Sequence, residues 1–539
     1  MTKLLHNATF YSMTAEGDCA EALVVGDDGT ISFIGSLEDA RTAAPDAEAV
    51  DLEGATVLPG FVDPHGHFTG AMQYALYADL SACTSFADIE QRMREFMEAR
   101  RIGPEGVVMA TGYDQNALVE GRHPDKSVLD AVSTDVPLIA IHASNHMAVA
   151  NSALLKLAGI DASTPDPEGG RFGRVEGTNE PDGYAEEPAA INRLFVVTQP
   201  RMNLDLASIA DDMQLVYLEH GITTCQDGAT PASMADELCK LADSGKLKLD
   251  VVAYPMHGED VDAMLERHAD FDGPDYRGHL RIGGLKMFLD GSPQGLTAWM
   301  TEPYVRGPEG EDDWVAYGTM TDEDALAFAR KAVDSSHQLL CHANGDAASD
   351  QLLRVYAAAV EASDNPRKHE LRPVMIHCQT ARADQYERMA ELGMIPSIFS
   401  SHIWYWGDIH LRNFGPERGG RISACGDAAR CGLPFTLHTD TPVLRPNLLE
   451  AAWCAVNRVT KKGAQLDEDQ KVTVYEALCA ITKNGAYQYG EEARKGTLEV
   501  GKLADLAILD RDPFKEEPEN LRKVRVAATI KEGNEVYRG

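Results

Sequence analysis

The sequence predicts an α/β protein: a TIM-like (β/α)8 barrel, a small β-sandwich domain built from both chain ends, and an insertion after the first barrel strand. Three observations predict it. Through the middle of the chain, short apolar runs alternate with longer helical patterns, the signature of βαβ units and a parallel sheet. Eight such apolar runs can be counted, the number that closes a barrel. Both chain ends read differently, as short alternating strands broken by turn residues. At 539 residues the chain is too long for one small core, so two or more domains are expected.

Taken in order, "EALVVGDDGTISFIGS" places two apolar runs around Asp27-Asp28-Gly29, a hairpin signature. "GFVDPH" is the first barrel strand. Residues from Ser81 to about Pro200 are left over. They hold two strand-like runs, "GVVMATGYD" and "VPLIAIHAS", and the Gly-Pro-Asp-rich "STPDPEGGRFGRVEGTNEPDGYAEEP". Loops this long are usually functional or independently folded, so 81–200 reads as an insertion acting as a lid. The remaining barrel strands are "GITTCQDG", "LDVVAYP", "RIGGLKMFLDG", "HQLLCHANGD", "RPVMIHCQT", "MIPSIFSSH" and "LPFTLHTDTPV". Helices such as "DQLLRVYAAAVEAS" and "DQYERMAEL" lie between them. "KLADLAILDRDPF" and "VRVAATIKEGNEVYRG" return to short strands. The expected division is 1–58 with 485–539 as the sandwich and 59–484 as the barrel.

The charge balance narrows the partners. With 85 acidic against 49 basic residues the formal net charge is −36, which argues against nucleic acid or an anionic membrane surface. No apolar run approaches the ~20 residues of a membrane span. The N-terminus has one Lys and no sustained apolar core, unlike a secretory signal. The ten Cys are scattered singly with no CxxC pair, as expected of free thiols in a reducing cytoplasm. The expected partner is a small molecule, and a homodimer is the expected assembly.

The chemistry gathers at strand ends. In "LPGFVDPHGHF", His65 and His67 are two apart, so on an extended backbone they share a face, with Gly66 leaving space between them. Lys286 is on the fourth strand; His342, His377 and Asp440 end the fifth, sixth and eighth. Carboxyl ends of strands are where barrel enzymes build active sites, so these six residues are expected to converge. Neutral imidazoles suit Zn, Fe or Ni, and carboxylates also suit Mn or Mg. Four His and one Asp are generous for one tetrahedral ion and fit two ions if a further group bridges them. A plain ammonium would be repelled there, whereas Lys286 carbamylated by CO2 becomes an oxygen ligand. Each residue alone has an ordinary reading, a buried histidine or a turn aspartate; their joint placement favours a metal.

These motifs resemble a known family. "LPGFVDPHGH" and the tail "GTLEVGKLADLAILDRDP" are similar to the amidohydrolase superfamily, and "IHASNHMAVANSALL", "GLKMFLDGS", "CHANGD" and "LHTDTPV" resemble its amidohydrolase-3 branch. The resemblance implies a metal-dependent hydrolase cleaving an amide-type C–N bond, in an N-formyl or N-acyl amine, by a metal-activated hydroxide. It implies that His65, His67 and Asp440 hold one ion and His342 and His377 the other. Lys286, carboxylated, bridges them, and Asp440 also handles the proton. The expected complement is two Zn2+ per chain and a CO2-derived carbamate on Lys286. Substrate contacts are assigned to His146, His402, Trp404, Asp114 and Glu187. Two departures from the pattern stand out, Asn344 in "CHANGD" and His438 in "LHTD". The competing readings are a mononuclear deaminase of the same superfamily and a catalytically silent metal-binding protein. The deaminase pattern lacks the strand-four lysine and has Glu where this chain has Gly345.

Overall fold

The computed structural model describes residues 2–115, 117–142, 147–167, 170–202, 206–308 and 313–539. They divide into two compact units, Met72–Met213 and the remainder of the chain.

In the larger unit, both chain ends supply one seven-stranded sheet. Its order is Asn534–Arg538, Val526–Lys531, Leu506–Leu509, Glu48–Pro59, Lys3–Tyr11, Cys19–Val25, Ile31–Gly35. Glu48–Pro59 sits centrally and bonds on both edges, parallel to Lys3–Tyr11 and antiparallel to Leu506–Leu509, which joins all the strands by continuous hydrogen bonding. The hairpin read from Asp27-Asp28-Gly29 forms, with Val25 opposite Ile31. Gly29 is required there, since it has a φ of +79° and a Cβ would meet the Glu532 carbonyl oxygen at 2.7 Å. The expected boundary at 485 falls within a helix, Lys483–Gln488, whose Gly485 lies against Val62 of the Phe61–Val62 strand.

The parallel strands follow in chain order. Phe61–Val62, Ile222–Thr230, Asp250–Pro255 and Leu280–Ile282 form one ladder. Gly284–Phe288, Gln338–Ala343, Val374–His377, Ile395–Ile398 and Thr436–Leu437 form a second. The run expected as a single fourth strand is therefore two, broken at Gly283. A Cβ on Gly283 would meet Val252 at 2.3 Å, and one on Gly284 would meet the Gln338 carbonyl at 2.1 Å. Two adjacent glycines let the chain leave one neighbour and press against the next. The ladders join where Met256 bridges Lys286 and the His257 N–H donates to the Lys286 carbonyl at 2.7 Å. At the far edges, the His67 N–H donates to the Thr441 carbonyl at 2.6 Å. Gln488 spans the same gap, donating to the Pro64 carbonyl and accepting from Thr436 Oγ1. Val62, Val252, Tyr254, Leu340, Val374, Ile376 and Ile395 fill the interior.

Helices alternate with these strands, as the pattern requires. Asp346–Ala362 and Ala383–Leu392 are the two read from sequence; the second stops at Gly393, which takes the left-handed cap with φ 62°.

The Met72–Met213 unit is larger than the expected 81–200 and has its own sheet. The strand order is Arg171–Arg174, Pro181–Glu186, Met147–Ala150, Leu138–His142, Val108–Tyr113, Tyr77–Asp79, with an apolar core on each face. The Gly-Pro-Asp-rich stretch is not simply loop: Arg171–Arg174 and Pro181–Glu186 make a hairpin within it. Gly173 permits the pairing, because a Cβ there would strike the Asp182 carboxylate at 2.2 Å.

Candidate metal centre

Six side chains carried by five strands meet in the larger unit. His65 and His67 stand just past Phe61–Val62, and His67 also forms a bridge with Asp227. Their Nε2 atoms lie 3.4 and 3.3 Å from Asp440 Oδ1. That oxygen has no hydrogen-bond partner among the described residues. The three residues form a cluster in which every ligand atom is within 4.8 Å of the others. Beside it, His342 Nδ1 and His377 Nε2 are 3.0 Å apart, and the His65 and His377 ring centres are separated by 5.5 Å. His377 and Asp440 both adopt left-handed backbone, φ 80° and 55°, the kind of local strain that concentrates at functional positions.

Lys286 lies fully buried in the Gly284–Phe288 strand, and its Nζ has no hydrogen-bond partner among the described residues. The Phe288 ring lies 4.8 Å from it. Burial pushes the Lys286 amine down to about 8. Burial also pushes His342 down to about 4 and holds His65 and His377 well below the usual imidazole range. For Asp440, burial acts to raise the carboxyl, but His67 and the other imidazoles outweigh it and keep it well below the carboxylate norm. The site therefore offers neutral nitrogens, one carboxylate and one readily deprotonated amine. That donor set, with two orphaned buried polar atoms among it, fits divalent cations.

Several neighbours were not singled out in the sequence. Gln226 takes the outer nitrogen of His65, with Nδ1 to Oε1 at 2.6 Å. Gly228, more than Gly66, makes room for that ring, since a Cβ on it would meet His65 at 2.7 Å. Asp290 is buried after the Lys286 strand and accepts the N–H groups of Asn344, Gly345 and Trp299. It thereby shapes the turn after His342, and burial pushes its carboxyl up to about 7. Asn344 belongs to that turn and donates to the Gly291 carbonyl at 2.7 Å. Position offered a signal for two of these: Gln226 and Asp290 also lie near the carboxyl ends of apolar runs, as "TTCQDG" and "MFLDG".

The expected substrate contacts fare unevenly. His402 starts the helix His402–Gly420, buried, its Nδ1 3.0 Å from His410 Nε2 and its ring 4.5 Å from Phe399. Trp404 packs edge-on to Trp453 at 5.2 Å and beneath Arg522 at 4.6 Å. Two helical residues apart is about 200° of rotation, so Trp404 cannot share a face with His402; Trp406, four residues on, does, at 4.5 Å. Asp114 and Glu187 both belong to the Met72–Met213 unit, where Asp114 Oδ1 is 3.8 Å from His142 Nε2 and Glu187 opens the helix Glu187–Thr198. His146 lies outside the described residues. No described helix is long and apolar enough to cross a membrane.

Comparison with known proteins agrees with this geometry. Residues 48–537 match the model of a family described as the amidohydrolase family. The chain is 29% identical to the N-substituted formamide deformylase of Arthrobacter pascens, covering 98% of this chain and 97% of that one. It is 28% identical to the putative amidohydrolase YtcJ of Bacillus subtilis, covering 100% and 99%. Among solved structures, an uncharacterized metal-dependent hydrolase from Pyrococcus horikoshii superposes with a TM-score of 0.75 at 25% identity, covering 96% of this chain and 99% of that one.

Proposed function

The chain belongs to the amidohydrolase family and is a metal-dependent hydrolase, and from that premise we propose that it cleaves an amide-type C–N bond, in an N-formyl or N-acyl amine, at a two-metal centre. The observation that carries this reading is the buried, unpartnered Lys286 amine among ligand-type side chains from neighbouring strands. A lone buried ammonium is costly, and an amine poised near neutrality reacts with CO2. As a carbamate, Lys286 supplies two oxygens between the pair His65–His67 with Asp440 and the pair His342–His377. The parallel strands are read as one (β/α)8 barrel with this centre at its carboxyl end.

Bound divalent cations, zinc in this reading, polarise a carbonyl and lower the pKa of water toward neutrality. The chain's own groups do the rest. The imidazoles of His65, His342 and His377, held neutral by burial, give nitrogen lone pairs at pH 7 without proton competition. Asp440, held ionised, accepts the proton of the attacking water and returns it to the leaving nitrogen. The amide preference draws on the deformylase relative named above.

The test is metal content per chain, measured by elemental analysis on protein purified without chelator, for wild type and Lys286→Ala together. About two ions in wild type, falling sharply in the variant, supports the bridged centre and directs a screen of N-formyl and N-acyl amines. One ion, unchanged by the substitution, removes the bridge and brings the mononuclear deaminase forward.

A further inference from the structure

Each ligand-type imidazole has an outer nitrogen, and what it faces decides which nitrogen is free for a metal. His65 Nδ1 faces the Gln226 side-chain oxygen, which is held in place because the Gln226 amide nitrogen donates to the Pro64 carbonyl and to Tyr489. His342 Nε2 faces the Gly291 carbonyl at 3.0 Å. The Gln226 oxygen can only accept, which fixes the His65 tautomer, whereas His342 Nε2 also lies 2.9 Å from the Asn344 amide nitrogen, a donor, so His342 can carry its proton on either nitrogen. His377 is different. Its Nδ1 lies 3.2 Å from His438 Nε2, and His438 Nδ1 lies 2.9 Å from Ser397 Oγ. Both His438 and Ser397 are fully buried, and each of them can donate or accept.

We propose that His438 is a positioning residue, part of a Ser397–His438–His377 relay whose protons run either way. With the His342 Nε2 proton donated to the Gly291 carbonyl, one of the two tautomers its neighbours allow, His342 Nδ1 is bare. With no ion, His377 Nε2–H donates to it, His438 Nε2–H donates to His377 Nδ1, and Ser397 O–H donates to His438. With an ion held by His342 Nδ1 and His377 Nε2, every donor in the row becomes an acceptor: His377 Nδ1–H donates to His438 Nε2, and His438 Nδ1–H to Ser397 Oγ. The proton count is the same in both states, and no buried nitrogen in the row is left unpaired in either. The half-site of His342 and His377 can therefore empty and refill, whereas the half-site of His65, His67 and Asp440 leaves Asp440 Oδ1 orphaned when empty. The inference rests on the two-metal reading above and assigns the more exchangeable ion to His342 and His377.

The experiment is titration of chelator-stripped protein with Zn2+ against a chromophoric chelator. Wild type is expected to show two unequal equivalents. In His438→Leu the weaker one should fall by about 10–100-fold while the stronger one is unchanged. In His438→Gln, whose amide can still donate or accept toward His377, it should recover to within about tenfold of wild type. Ser397→Ala, a smaller change that keeps the fold if His438→Leu does not, should weaken the same equivalent alone. Two wild-type affinities in a folded His438→Leu or Ser397→Ala variant overturn the relay. One equivalent or none in wild type overturns the two-metal reading itself, a separate failure.

Discussion

The larger unit buries lysines in two places and treats them in opposite ways. Near the amino ends of the parallel strands, Lys495 Nζ touches Asp250 at 2.5 Å, Glu491 at 2.7 Å and Thr224 at 3.0 Å. Lys531 there touches Asp250 and Asp505, both at 2.9 Å. Although burial works against them, these carboxylates push both lysines up, and Asp250 is held well below its usual range. At the other end Lys286 is as deeply buried and is pushed down to about 8 for want of such partners. Asp250, His279 and Glu532 are also close enough together to hold a cation, yet two ammonium groups already occupy Asp250. Burial alone thus does not mark a functional lysine. The complement of partners does, and an incomplete one marks the place where something else is meant to bind.

The comparison can be broken or sharpened by substitution. A large effect on catalysis is expected at Asp440. Asp440→Asn should lower kcat/KM on a cleaved amide by about 10^2–10^4-fold, measured by product release, while the melting temperature holds or rises. Asp250→Ala should do the reverse, costing about 3–5 kcal/mol in urea unfolding by stranding two lysines. A loss under about 1 kcal/mol would break the distinction between the clusters. Lys286→Met should abolish activity yet leave metal-free stability unchanged or higher by up to about 3 kcal/mol, since it removes a charge that has no partner.

A smaller effect is expected from the buried pair His402 and His410. Burial pushes His410 down to about 3 and His402 well below the usual range, so both are neutral in the fold. Above about pH 6.5 the folded and unfolded states bind the same protons and nothing changes. Below it the unfolded chain takes up protons that the fold refuses, so stability falls by about 1.4 kcal/mol per pH unit for each ring. His410→Gln should flatten that slope in unfolding midpoints measured at pH 7 and 5.5. The smallest effect is Trp404→Phe, which should leave kcat/KM within about threefold because Trp404 faces Trp453 and Arg522.

The order of the strands and the ligand residues could be read from the sequence because each signal is local: an apolar run, then a polar residue at its end. Lys286 was legible from its place in "GLKMF" even though its lack of partners was not. What escaped depends on residues distant in the chain. The break at Gly283 is set by Val252 and Gln338 pressing from both sides. The hairpin inside 171–186 was masked by loop-like composition, although Gly173 and Asp182 are what fit it together. Trp404 was grouped with His402 by adjacency, where helical rotation separates them. His438 stood out as unusual, but its link to His377 crosses 61 positions.

The central strand of the terminal sheet carries a consequence for how the molecule is made. Pro59 finds its antiparallel neighbour only at Leu506, so one edge of Glu48–Pro59 has no native cover until about 450 further residues have left the ribosome. At ordinary synthesis speeds that delay is on the order of a minute. Val57 and Leu58, buried in the finished sheet, spend it open to any other strand nearby. Nascent chains halted before residue 506 should therefore aggregate more readily than chains that have reached residue 509.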